Sequence, residues 1–248
     1  MNPLRELTEH GQAIWLDYIR RALVTSGELE ELVERDGLRG VTSNPSIFAK
    51  AISGSDDYAE QLDALLQAGD SEPKGMYEAL ATEDIRRAAD VLASVFEATE
   101  RRDGYVSLEV APDLAHDTDA TVQEARRLWS EVDRPNAMIK VPATEAGIPA
   151  IEALLAEGVN VNVTLLFARD TYGRVAEAYL RGLERLAESG GDVSRVASVA
   201  SFFVSRIDVA VDEQLSRLAE EAASEGERAE LRGLRGKAAI ANARLAYA

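Results

Sequence analysis

Lys140 lies inside Asn136–Thr144 (NAMIKVPAT), a run with little polar alternation. That is the pattern of a parallel strand covered on both faces. Desolvation among such neighbours disfavours the ammonium form, so the Lys140 pKa should fall and some free amine should exist near neutral pH. A free amine adds to a carbonyl, and loss of water from the carbinolamine leaves an iminium. The iminium is an electron sink for breaking the adjacent carbon–carbon bond. Such chemistry needs proton-transfer groups, and Asp17 and Glu109 are the acids in two other apolar runs. Neutral donors and one cation, Asn44, Asn162, Thr164, Ser201 and Arg206, complete the set.

Each residue also has a plainer reading. Lys140 could snorkel into water from a strand end. Asp17 or Glu109 could simply pair with it, since buried charges must be paired. Arg206 could be a structural salt-bridge donor rather than a phosphate ligand, and Asn162 and Thr164 could be interior hydrogen-bonding groups. Both histidines, His10 and His116, read as solvated loop residues.

The elements that would position these groups alternate along the chain. Strands are expected at Ala13–Ile19, Leu38–Asn44, Gly104–Val110, the lysine run, Asn160–Phe167 and Val196–Ile207. Pro45 and Pro112 follow the second and third of them and Pro142 stands near the end of the lysine run, as expected where a ladder stops. Between them lie helical periodicities: one opened by Ser26 and ended by Gly37, one over Ser55–Gly69, one capped by Thr82, one capped by Asp117 or Thr118, one capped by Thr144 and ended by Gly158, and one from about Arg169 to Gly190. Helix is also expected from about Asp208 onward. The stretch at about 46–102 is an elaborated helical insertion. Asn160, Asn162 and Thr164 share one strand face by the two-residue period, and that face must meet something polar.

Six strands alternating with helices indicate an α/β parallel sheet. A polar or ionisable residue stands toward the end of every strand, the arrangement of a (β/α)8 TIM-barrel type fold, whose strand ends form one active face. A doubly wound sheet would gather them at one switch point behind a glycine-rich phosphate loop, and no such loop follows the first strand. No low-complexity linker divides the 248 residues, so one domain is expected. A hydrophobic fraction of 46% is ample for its core.

With no cysteine there is no disulfide or thiolate metal site. A formal charge of −17 opposes binding to nucleic acid or anionic membranes. It also repels phosphorylated metabolites unless a local arginine or helix N-terminus overcomes the field. Neither a signal segment nor a spanning apolar run is apparent, which reads as a cytoplasmic protein.

Gly40–Ser46 (GVTSNPS), Ser107–Val110 (SLEV), Ile139–Thr144 (IKVPAT), Asn160–Phe167 (NVNVTLLF) and the Ser201…Arg206–Asp208 segment, in this order, resemble the transaldolase family, close to its longer bacterial form. The resemblance covers essentially the whole chain. It implies that Lys140 is the Schiff-base lysine holding a dihydroxyacetone unit, and that Asp17 is the acid–base group for the carbon–carbon bond. It implies that Glu109, with Thr164 and a water, shuttles protons during imine formation and hydrolysis. Asn44, Asn162 and Ser201 would bind the hydroxyls of the three-carbon unit and Arg206 a phosphate. The implied reaction passes that unit between sugar phosphates of the pentose phosphate pathway, with no metal or organic cofactor.

The family barrel has two further strands, and no seventh or eighth strand is legible before Ala248. The expectation is therefore a barrel with about six of eight strands, whose first and sixth strands leave long apolar edges to be covered by the helical stretch from about Asp208 to Ala248, by a second copy of the chain, or by aggregation. Two rival readings follow. One is a simple class I aldolase that releases dihydroxyacetone. The other is a truncated, weakly active or non-catalytic barrel.

Overall fold

The computed structural model describes residues 2–69 and 71–248. Six strands, β1 (Ile14–Asp17), β2 (Leu38–Thr42), β3 (Tyr105–Glu109), β4 (Ala137–Pro142), β5 (Val161–Leu166) and β6 (Ser198–Phe202), form one sheet. Every neighbouring pair is parallel, and the order in the sheet is the order in the chain. A sheet that never reverses its order has no switch point, so the winding is that of a (β/α) barrel.

The sheet is strongly curled. Laid flat, five gaps of about 4.8 Å would hold β1 and β6 roughly 24 Å apart. Instead Trp15 of β1 and Val199 of β6 both pack against one cluster built on Met138 of β4, with Tyr105 of β3. Strand alternation explains the arrangement: Met138 and Lys140 point to the inside of the curl, while Ile139 and Val141 join the outer core beneath the helices. All six residues of β4 are buried, which is why its sequence is a continuous apolar run. Trp15 lies so close over β2 that a Cβ on Gly40 would fall 2.4 Å from its ring.

The helices are α1 (Pro3–Glu9), α2 (Arg21–Thr25), α3 (Glu28–Glu31), α4 (Pro45–Ser53), α5 (Ala59–Gln67), α6 (Pro73–Ala98), α7 (Thr118–Val132), α8 (Gly147–Ala156), α9 (Arg169–Glu188), α10 (Ser205–Glu221), α11 (Glu225–Gly233) and α12 (Ala238–Tyr247). Their starts follow local chemistry. Asn44 accepts from the Ile47 N–H with Pro45 in the first turn of α4, and Asp117 accepts from the Ala120 N–H to cap α7. Thr144 accepts from the Gly147 N–H at the start of α8, and Gly158 follows that helix at φ 82°. The buried residues of α7, Val122, Ala125, Leu128 and Val132, recur at helical spacing on the face toward the sheet.

Three expectations change. Thr82 caps nothing: it is buried within α6, which begins nine residues earlier with Pro73 at its start and the Glu72 carboxylate accepting from the Gly75 N–H. The first strand is shorter than Ala13–Ile19. The sixth does not run to Ile207 but stops at Phe202, so Ser205 and Arg206 open α10 instead of ending a strand. Between β2 and β3 stand α4, α5 and α6. The buried Arg21–Asp84 ion pair (2.8 Å) ties α2 to α6, with the Tyr58 hydroxyl donating to the other Asp84 oxygen at 2.8 Å. No helix among the described residues is long and apolar enough to cross a membrane.

Candidate active site

β4 carries Lys140 into the curl two positions beyond Met138. The residue is 6% exposed, and its amine has two partners. Nζ donates to the Ser43 carbonyl oxygen at 3.1 Å and lies 3.4 Å from Oε2 of Glu109. Ser43 follows β2 and is held by its own hydroxyl, which donates to the Ser107 carbonyl at 2.6 Å. The lysine is therefore oriented by backbone of a strand two places away in the sheet. Glu109, in register with Lys140 across the β3–β4 pair, is largely buried. Burial pushes its carboxyl above the usual carboxylate range, and the Lys140 ammonium holds that rise in check.

Asp17, Asn44, Glu109, Lys140, Thr164 and Arg206 line one cleft of about 220 Å³, together with Leu165 and Phe203. Six of the eight residues singled out in the sequence thus meet at one place. Asp17, at the end of β1, is exposed and has no ion pair with Lys140; that pairing belongs to Glu109. Asn44 spends its side-chain oxygen on the α4 cap, which leaves its amide nitrogen as a donor toward the cleft.

Asn162 and Ser201 stand apart from the cleft lining. Asn162 donates to the Ser107 hydroxyl at 2.9 Å and accepts from the Ser201 hydroxyl at 2.8 Å. These bonds join β3, β5 and β6 inside the curl and answer the expectation that the polar face of β5 meets polar groups. Asn160 on the same strand face does similar work, donating to the Ala137 carbonyl at 3.0 Å and accepting from the Ala197 N–H at 2.8 Å.

Three contributors carry no evident signal in the sequence. One is the Ser43 carbonyl. The second is Leu165, which adopts φ 59° where the β5–β6 register shifts. A non-glycine residue in that region costs roughly 1–3 kcal/mol. The irregularity lets consecutive residues Thr164 and Leu165 both face the cleft, which a regular strand forbids. The third is Phe203, whose ring lies 4.7 Å from the Arg206 guanidinium carbon. Chemically, the cleft combines a shielded amine, a largely buried carboxyl group against it, an exposed acidic side chain and a guanidinium at the start of a long helix.

The profile of the family described as Transaldolase/Fructose-6-phosphate aldolase matches residues 14–248. Among curated proteins, "Transaldolase 2" of Nostoc sp. is 50% identical over 248 residues, covering 100% of this chain and 65% of its own length. "Transaldolase" of Thermobifida fusca is 53% identical over 247 residues, again covering 100% of this chain and 65% of its own. "Transaldolase" of Mycobacterium marinum is 48% identical over 248 residues, covering 100% and 64%. The chain spans just under two thirds of the length of these relatives. On this match of nearly the whole sequence, and at this identity, the chain belongs to the transaldolase/fructose-6-phosphate aldolase family.

Proposed function

We infer that the cleft performs Schiff-base transfer of a dihydroxyacetone unit between sugar phosphates, the transaldolase reaction of the pentose phosphate pathway. The donors are sedoheptulose 7-phosphate and fructose 6-phosphate, and the acceptors glyceraldehyde 3-phosphate and erythrose 4-phosphate. The observation that carries this reading is the shielded Lys140 amine, held 3.1 Å from the Ser43 carbonyl and 3.4 Å from Glu109. The names borne by the relatives support it.

In this reading the neutral Lys140 amine adds to the ketose C2 carbonyl. Glu109, whose burial favours its acid form, protonates the departing hydroxyl, so water leaves and the iminium forms. Thr164 holds the water that exchanges protons with Glu109. Asp17 then takes the proton of the C4 hydroxyl while the C3–C4 bond breaks. Its electron pair moves into the iminium to give an enamine, and the aldehyde leaves. The acceptor aldehyde adds by the reverse steps, with Asp17 returning the proton, and hydrolysis frees Lys140. Asn44 holds a hydroxyl of the retained unit, while Asn162 and Ser201, the further hydroxyl-binding residues that the family resemblance implies, must first exchange their bonds to each other and to Ser107 for bonds to the substrate. Arg206 takes the phosphate, aided by the N-terminus of α10, which has no side-chain cap.

The test is to incubate the chain with fructose 6-phosphate, reduce with borohydride and map the adduct by peptide mass. An adduct on Lys140 is expected; one on another lysine, or none on folded protein, rejects the reading. The family description also names an aldolase, which favours one rival: release of free dihydroxyacetone. Turnover that requires an acceptor aldehyde separates transfer from release. The pathway reading implies work in the cytoplasm, and we infer that the open edges of β1 and β6 pair with a second copy of the chain.

A further inference from the structure

Arg206 belongs to a three-layer stack. Its guanidinium lies 4.7 Å from the Phe203 ring centroid, and Phe203 stacks on Phe167 with centroids 4.9 Å apart and planes 16° from parallel. Phe203 and Arg206 border the cleft, whereas Phe167 is not part of its lining. The Asn242 amide of α12 donates to the Phe167 carbonyl at 2.6 Å, and the Phe203 N–H donates to the carbonyl of the preceding residue, Leu166, at 2.8 Å.

The stack matters because of what Arg206 lacks. Among the described residues no carboxylate pairs with it and no side-chain hydrogen bond holds it. The nearby acids of α10 are turned to α12 and the turn before it: Asp208 accepts from the Ala239 N–H and Asp212 from the Gly236 N–H, both at 3.0 Å. A carboxylate partner would fix the guanidinium but neutralise it. An aromatic face fixes it and leaves both its charge and its in-plane N–H fork free for an oxyanion. In a chain of net charge −17, with Asp17 and Glu109 on the same cleft, an arginine without a direct carboxylate partner is a local source of attraction for an anion.

We propose that Phe167 is a positioning residue for anion recognition: acting through Phe203, it holds Arg206 in place, and Asn242 links α12 to that task. The inference rests on the function proposed above only in taking the anion to be the substrate's phosphate. The positioning itself concerns any phosphate-sized oxyanion.

The test uses the full chain and inorganic phosphate, followed through the Arg206 side-chain 15N–H resonance at low ionic strength. Phe167→Ala is expected to weaken phosphate binding about 3- to 10-fold, and Phe167→Trp, which keeps a stacking face, to stay within about twofold of the parent. Asn242→Ala should weaken it in the same direction and by less. In borohydride trapping with fructose 6-phosphate, Phe167→Ala should raise the half-saturating concentration more than it lowers the limiting rate. Unchanged phosphate affinity in folded Phe167→Ala, failure of Phe167→Trp to retain it, or no phosphate response at Arg206 in the parent would each overturn the proposal. Should Phe167→Ala not fold, Phe167→Leu and Asn242→Ala give the same readout. An adduct on Lys140 together with phosphate affinity indifferent to Phe167 defeats this inference alone. Phosphate affinity that depends on Phe167 without any adduct defeats the catalytic reading alone.

Discussion

Nζ of Lys140 lies 3.4 Å from a Glu109 oxygen, while Asp17, on the same cleft, makes no ion pair with the amine. The two acids differ in environment as well, Glu109 being largely buried and Asp17 exposed. Two carboxyl groups in one site with such different surroundings are suited to different proton transfers.

Their roles should therefore separate. Asp17→Asn is expected to trap a borohydride-reducible adduct at near-parental rate but to lose transfer by about 100-fold or more, the usual worth of a positioned acid or base. Glu109→Gln is expected to slow adduct formation itself by a similar factor. Single-turnover trapping alongside a coupled assay with erythrose 4-phosphate measures both steps. Equal defects in both steps for the two variants would contradict the division.

Glu109 should titrate above the ordinary carboxylate range, because burial raises its pKa more than Lys140 lowers it. Removing the cation in Lys140→Met should move it higher still. The sign for stability follows: above the reference value of 4.5 and up to the raised folded value, the folded chain binds more protons than the unfolded one. Stability attributable to this group thus falls as pH rises through that window. Carboxyl 13C titration of parent and Lys140→Met checks the direction, and a downward move in the variant would refute it.

The Arg21–Asp84–Tyr58 cluster should be costly to break and cheap to replace. Asp84 is fully buried and Arg21 nearly so, so Asp84→Ala leaves a buried guanidinium unpaired, at about 3 kcal/mol or more. Replacing both charges, as in Arg21→Met with Asp84→Leu, should cost less than Asp84→Ala alone. Urea unfolding of the three proteins decides it. A double variant weaker than the single one would show that the pair itself stabilises the fold.

Among the described residues β1 and β6 each have a strand on one side only, and β6 is nowhere fully buried. Unpaired ladder groups on such edges recruit further strands. Multi-angle light scattering across a range of concentrations should find species of at least two chains, and a monomer at all concentrations would exclude pairing at these edges.

Lys140 and its strand were legible because burial on both faces leaves an uninterrupted apolar run, and a charge within such a run stands out. Asp17 and Glu109 stood out for the same reason. The end of β6 was not legible: apolar residues continue through Phe202, Phe203 and Val204 into Ile207 without glycine or proline, so periodicity alone carries no boundary. Thr82 misled because threonine favours caps, yet α6 is started by Glu72 and Pro73. The Ser43 carbonyl and the backbone of Leu165 act through main-chain geometry, which residue identity does not encode. Nor does the spacing of Phe167, Phe203 and Arg206 reveal a stack, since it depends on β5 and β6 being neighbours.

The order of the sheet also sets where the site wears out first. Lys140 stands on β4, hydrogen-bonded to a strand on each side, whereas Asp17 ends one edge strand and Arg206 follows the other. Interior strands exchange their amide hydrogens only through large openings, while edges open at far lower free energy. Brief fraying of either edge would scatter the acid or the anion clamp yet leave the lysine in its groove. On warming, the chain should stop passing its three-carbon cargo onward at a lower temperature than it stops capturing it.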